Sequence, residues 1–186
     1  MTQKKTLVYG IGVDDSIIGE SDMFLRNSWR QMLKRCYYEK SRIKHPCYSD
    51  CTVCKEWHRF SSFEKWGKEQ YKEIGWELDK DWLLMGNRVY SPETCCFAPM
   101  EINRMISKHR HFKPEAPLGV HYHKRDKKYY VSVGYKRKFL GSFNSADEAH
   151  EVYKLEKKNK IVEMANKWKG KISEKLYNAM LNYKVN

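Results

Sequence analysis

One stretch, Gly119 to Tyr153, limits what this 186-residue chain can fold into more than any other. In Lys128–Gly134 the alternation of apolar and polar residues sets Tyr129, Val131 and Val133 on one side of a strand and Lys128, Tyr130 and Ser132 on the other. Asp126-Lys127 and Tyr135-Lys136-Arg137 fall where hairpin turns belong. Leu140-Gly141-Ser142-Phe143 closes a third strand. Ser145, with Glu148 three residues on, then reads as a capping box. Ala146, Ala149, Val152 and Tyr153 follow at helical spacing, and the small first residues let the helix lie close to the sheet. The expectation is a three-stranded antiparallel sheet packed on a helix. Its other face, basic and able to hydrogen-bond, turns outward toward a polyanion.

The charge distribution agrees. The net charge is +13, and residues 113–186 hold 17 basic and 8 acidic side chains against 19 and 15 in residues 1–112. The densest part, Arg104 to Lys138, has 11 basic and 2 acidic residues. A concentrated basic patch beside aromatics favours nucleic acid through phosphate neutralisation and counterion release; solubility alone is the plainer alternative.

The runs G-V-x-x-x, K-Y-Y-V-S-V and F-L-G-S-F-N-S-A-D-E-A-x-x-x-Y, over roughly residues 117–166, resemble the ethylene-response-factor type (APETALA-type) DNA-binding domain. In that family the exposed sheet face enters the major groove of duplex DNA. The resemblance implies DNA-facing roles for His121, His123, Arg125, Lys128, Tyr130, Ser132, Arg137 and Phe139. His121 and His123 stand where the family has arginines, and Ser132 where it has a glutamate. Histidine is a weaker partner for guanine than arginine.

Further toward the N-terminus, residues 1–21 read as irregular. From Asp22 a helix is expected, with Trp29, Met32, Leu33, Cys36 and Tyr37 on one apolar face. Trp57, Phe60, Phe63 and Trp66 recur every third residue, more as core than as a base-stacking set. Ser61 and Glu64 offer a capping box for a helix over about 62–71. Short strands are expected at Glu77–Asp81 and Cys95–Phe97, separated by a turn through Gly86-Asn87, with Pro99 opening a helix.

Val53-Cys54-Lys55-Glu56-Trp57, Leu78-Asp79-Lys80-Asp81, Tyr90-Ser91-Pro92-Glu93-Thr94-Cys95 and Asn103 resemble a second family, the phage HNH (His-Me finger) endonucleases, over roughly residues 25–106. That resemblance implies a ββα module holding a divalent metal, Mg²⁺ or another. Asp79 and Asn103 would be its ligands, and water would be deprotonated by a base beside the first ligand. Lys80 occupies the position of that histidine, and no histidine lies between His58 and His109. Catalytic roles thus fall to Asp79, Lys80 and Asn103, in a module that is active or degenerate.

Cys51 and Cys54 have the spacing of half a zinc site, which Cys95, Cys96 or His58 could complete; buried free thiols are the alternative. The N-terminus lacks the apolar core of a signal peptide, and no run of about 18 apolar residues exists. We therefore expect a cytoplasmic protein, in the host cell if phage-encoded, with reduced cysteines and no membrane segment. The linker candidate is His109 to Pro117, and a last helix over about 173–183 carries Leu176, Tyr177, Met180 and Leu181 on one face.

The fold class is α+β: an HNH-like module over 1–112, then the sheet domain with a C-terminal helix over 113–186. Three functions follow. The first is a phage-type, metal-dependent endonuclease whose HNH-like module cuts DNA while the C-terminal sheet positions it. The second is a catalytically inactive DNA-binding regulator or counter-defence protein. The third is a module that meets an acidic host protein. The last helix leaves a dimer as a further option.

Overall fold

The computed structural model describes residues 7–70, 75–106, 116–134 and 137–185. It is an α+β chain forming two compact units, Met1–Arg104 and Met105–Asn186. The linker candidate lies, over 109–115, outside the described residues.

The N-terminal unit is built around helix α1 (Met23–Tyr37) and helix α3 (Phe60–Gln70). The Asp22 carboxylate starts α1 by accepting the Phe24 and Leu25 N–H groups at 2.8 and 3.0 Å. The expected face is buried: Trp29, Met32, Leu33 and Cys36 are all within 2% of full burial. The Trp29 indole donates to the Trp57 carbonyl at 2.7 Å, which satisfies its one polar atom. Trp57 meets the edge of Phe63 and tilts against Trp66, so the aromatic series is core, as its spacing suggests.

The Ser61–Glu64 capping box does not form. Asp15 accepts from the Ser61 N–H and hydroxyl at 2.9 and 2.8 Å. Glu64 instead accepts the Asp22 N–H at 2.6 Å and ties the start of α1 to α3.

Between these helices and the end of the unit run α2 (Glu39–Lys44), β1 (Thr52–Val53), β2 (Trp76–Asp79), β3 (Val89–Tyr90), β4 (Cys96–Pro99) and α4 (Met100–Ile106). Strand β1 pairs in parallel with β3, and β2 pairs antiparallel with β4, Asp79 facing Cys96 and Glu77 facing Ala98. An antiparallel pair leading straight into a helix is thus present over β2, β4 and α4.

The second unit holds a sheet in the order β5 (Val120–His123), β6 (Lys128–Val133), β7 (Lys138–Phe143), all antiparallel. Helix α5 (Ala146–Lys167) covers one face. Ser145 caps it by accepting the Asp147 N–H at 3.2 Å. Val131, Val133, Ala149 and Tyr153 form the buried centre, with Leu118, Val120, Tyr129, Leu140 and Phe143 around it. Helix α6 (Glu174–Asn182) lays Leu176 and Met180 against α5, so the stripe expected on the last helix is covered within this chain. The Lys158 ammonium donates to the Leu181 and Tyr183 carbonyls at 2.5 and 2.9 Å and closes the end of α6.

Candidate functional site

Cross-strand partners share a face of a sheet. His121 pairs with Tyr130, His123 with Lys128, Tyr130 with Ser142, and Ser132 with Phe139. These seven side chains therefore lie on the face opposite α5. Val131, which pairs with Val120 and Gly141, lies on the covered face.

Phe139 reaches the outer face through a bulge. The register runs Val131 to Gly141, then Ser132 to Phe139, so β7 carries one residue more than β6 at this point. The extra residue lets Leu140 turn into the core while Phe139, 58% exposed, turns out. Lys138, one residue earlier, points back to α5 and meets Glu156 at 3.0 Å.

Three rings cross the outer face in a row. His123 stacks on Tyr130 with centroids 4.7 Å apart and planes 3° from parallel. Tyr130 meets Phe139 at 5.4 Å and 65°. Asp126 in the β5–β6 turn accepts the Tyr130 hydroxyl and lies 3.2 Å from His123 Nδ1. That bond raises the Tyr130 phenol above its ordinary range by holding its proton. Lys128 and the turn residues Arg125 and Arg137 are exposed around the row. All eight residues proposed to face DNA thus lie on one face or in its bordering turns. Sequence reasoning missed Asp126 and Ser142. Asp126 looked like turn chemistry alone, and Ser142 shows only through its register with Tyr130.

The other candidates lie in the N-terminal unit. Asp79 ends β2 and is half-buried. Its Oδ1 accepts the Asp81 and Trp82 N–H groups, both at 2.8 Å, a turn built on a side-chain acceptor. Burial pushes its carboxyl above the usual range, against those two hydrogen bonds. Lys80 is buried, and its ammonium donates to Asp81 Oδ1 and Oδ2 at 2.9 and 3.0 Å and to the Asn87 carbonyl at 2.7 Å. The Asn103 amide on α4 donates to Glu77 Oε2 at 2.8 Å. Glu77, two residues before Asp79 on the same strand, was not singled out in the sequence; the period of two is the signal that would have found it.

This set fits a divalent cation poorly. One Asp79 oxygen is already given to two backbone donors, and the neighbouring position carries an ammonium held by Asp81. Asn103 is turned to Glu77 rather than grouped with several acids. Among the described residues, no three His, Cys, Asp or Glu side chains come together as a metal-holding group. That includes Cys51, Cys54 and Cys95. Cys51 and Cys95 are buried in the core, and Cys54 is half-buried. Burial pushes the Cys54 thiol up to about 11 and the Cys95 thiol up to about 12. His58 bonds the Val53 carbonyl at 3.0 Å.

The turn role of Asp79 is testable. A carboxyl raised by burial favours the folded state in acid, and that contribution is lost as pH rises through its folded value. At neutral pH the buried charge is therefore a cost. Asp79→Asn keeps the acceptor oxygen without the charge and is expected to leave stability in urea at pH 7 unchanged or slightly higher. Asp79→Ala removes the acceptor and should cost about 1–2 kcal/mol. Equal damage from both would show that the fold needs the charge.

Comparison with protein-family models, with curated proteins and with solved structures found no match to this chain. Among the described residues no helix is long and apolar enough to cross a membrane.

Proposed function

We propose that this chain binds duplex DNA through the outer face of the β5–β6–β7 sheet and acts by occupying it, with the N-terminal unit as a scaffold. The observation that carries this reading is the division of the sheet's two faces. One is covered by α5, while the other holds an aromatic row, with Lys128 on the same face and exposed Arg125 and Arg137 in its bordering turns. Sheets lie in DNA grooves with cationic side chains on the phosphates and strand side chains at base edges. Asp126, the acid of the β5–β6 turn, accepts from the Tyr130 hydroxyl and lies 3.2 Å from His123 Nδ1.

Metal-dependent cleavage by the β2–β4–α4 segment is the second reading. It draws on the strand-pair-to-helix order and on the Asn103–Glu77 contact. The bonds that hold Asp79 and Lys80 weigh against it. A regulatory or counter-defence role belongs to the proposal of occupancy without cutting; an acidic host-protein partner is a separate reading.

Plasmid incubation with Mg²⁺ or Mn²⁺, beside Asp79→Ala, separates the two. Binding without nicking supports occupancy; nicking that Asp79→Ala abolishes supports cleavage; neither points to an acidic protein partner. For the contact face, Lys128→Ala and Arg137→Ala should each weaken binding. Each should also reduce the slope of log K against log salt by about one unit per lost phosphate contact. An unchanged slope would move the contact elsewhere.

A further inference from the structure

We infer that Phe139 reads the C5-methyl group of thymine in duplex DNA, which makes the sheet face selective for A·T-containing steps. This rests on the duplex-binding reading and names what that face recognises.

Phe139 is 58% exposed on a face otherwise made of imidazoles, hydroxyls and cations. A bulge in β7 is spent to turn it outward and Leu140 inward. An apolar ring gains nothing from phosphates, and the apolar feature that major-groove base edges offer is the thymine methyl. The arginines of this unit within the described residues, Arg125 and Arg137, both sit in turns at the rim of the face. No guanidinium therefore stands in the strands, and the strand cation of this face, Lys128, lies beside His123, four residues along β6 from Ser132, the partner of Phe139. Ser132, the cross-strand partner of Phe139, and Ser142, on the same strand and face, accept or donate and so impose no guanine requirement.

Stacking on unpaired bases is the competing use of aromatic rings on a sheet. It needs a row of open ring faces. Here one face of Tyr130 is covered by His123 at 4.7 Å, and its flank by Phe139. The central ring of the row is thus closed on one face and one flank, which breaks a platform for successive bases.

The test compares alternating poly(dA-dT) and poly(dA-dU), which differ by the methyl alone, at one fixed salt concentration. The full chain and its Phe139→Ala and Phe139→Leu variants are measured. The wild type is expected to bind the thymine polymer about four-fold tighter, the worth of one buried methyl group. Alanine should erase that ratio and leucine retain most of it. The exposure of Phe139 leaves the core intact, and circular dichroism should show all three proteins alike. A wild-type ratio of one overturns the inference while duplex binding stands. A ratio that survives in the alanine variant overturns it too, since the methyl would then act elsewhere. Tighter binding to single-stranded oligo(dT) than to either duplex overturns it in favour of base stacking. No binding to any duplex overturns both this inference and the reading beneath it.

Discussion

Lys80→Ala is expected to lower the stability of the N-terminal unit by about 2–4 kcal/mol in urea unfolding. The Lys80 side chain is 9% exposed, and all three of its hydrogen-bonding protons are engaged, on both Asp81 oxygens and the Asn87 carbonyl. Asn87 is itself buried and grips Val89 from both ends of its amide, at 2.6 and 3.1 Å. The ammonium therefore fastens the end of β2 to the entry of β3. Removing it leaves a buried carbonyl without its donor and Asp81 without its counter-ion. The Asp81 side chain is 35% exposed, so water returns part of that loss and keeps the figure below that of a fully buried pair. Lys80→Met keeps the alkyl stem and isolates the polar term. Adding Asp81→Asn to Lys80→Met should recover at least half the loss, because a missing partner costs more than a missing pair. A double variant no more stable than Lys80→Met would mean that Asp81 is indifferent to the ammonium. The same three bonds bear on chemistry: a side chain held by three acceptors is poorly placed to accept a proton from water.

The parts of this fold that were legible in the sequence are those where one element writes its own pattern. The alternation in Lys128–Val133 reports its buried face because Val131 and Val133 meet α5 while Tyr130 and Ser132 do not. Helix α1 shows its face in Trp29, Met32 and Leu33 for the same reason. What stayed hidden depends on distant partners. The Ser61–Glu64 box fails because Asp15, 46 positions away, takes Ser61 first. Lys80 reads as the residue standing in the base's position, between two aspartates; only the folded turn brings the Asn87 carbonyl to it. Strict alternation back from Ser142 would place Leu140 outside and Phe139 inside; the bulge reverses this, and it demands no particular residue that a sequence would display. The candidate site divides in the same way. The outer face follows from the period of two, whereas the bonds that occupy Asp79 and Lys80 need the three-dimensional arrangement.

Gly119→Ala is expected to cost the C-terminal unit about 3 kcal/mol or more, and with it the ordered outer face. Two effects add. Gly119 has φ +80, a backbone region that a side chain enters at a cost of about 1 kcal/mol. A Cβ built there would lie 2.0, 2.3 and 2.5 Å from three ring atoms of Tyr153, well inside contact distance. Tyr153 cannot swing away freely, since it is 6% exposed and packs with Val131, Val133 and Ala149 under the sheet. Forcing that ring aside is overpacking of a filled core, typically about 1–3 kcal/mol. The backbone cannot retreat easily either, because the Gly119 carbonyl accepts the Ser132 N–H at 3.1 Å and fixes the start of β5 beside β6. Domains of this size are stable by roughly 0.05–0.15 kcal/mol per residue, so the loss is a large share of the total. Thermal unfolding should show a markedly lower midpoint. The proposed duplex binding should fall with the folded fraction rather than through any change in salt slope, because no cation has been removed. Tyr153→Leu alone opens space and costs stability, yet combined with Gly119→Ala it should be less harmful than the two losses added, as the shorter side chain relieves the overlap. Strict additivity would show that the ring is not what excludes a side chain at position 119, and would leave the backbone angle as the whole requirement for glycine.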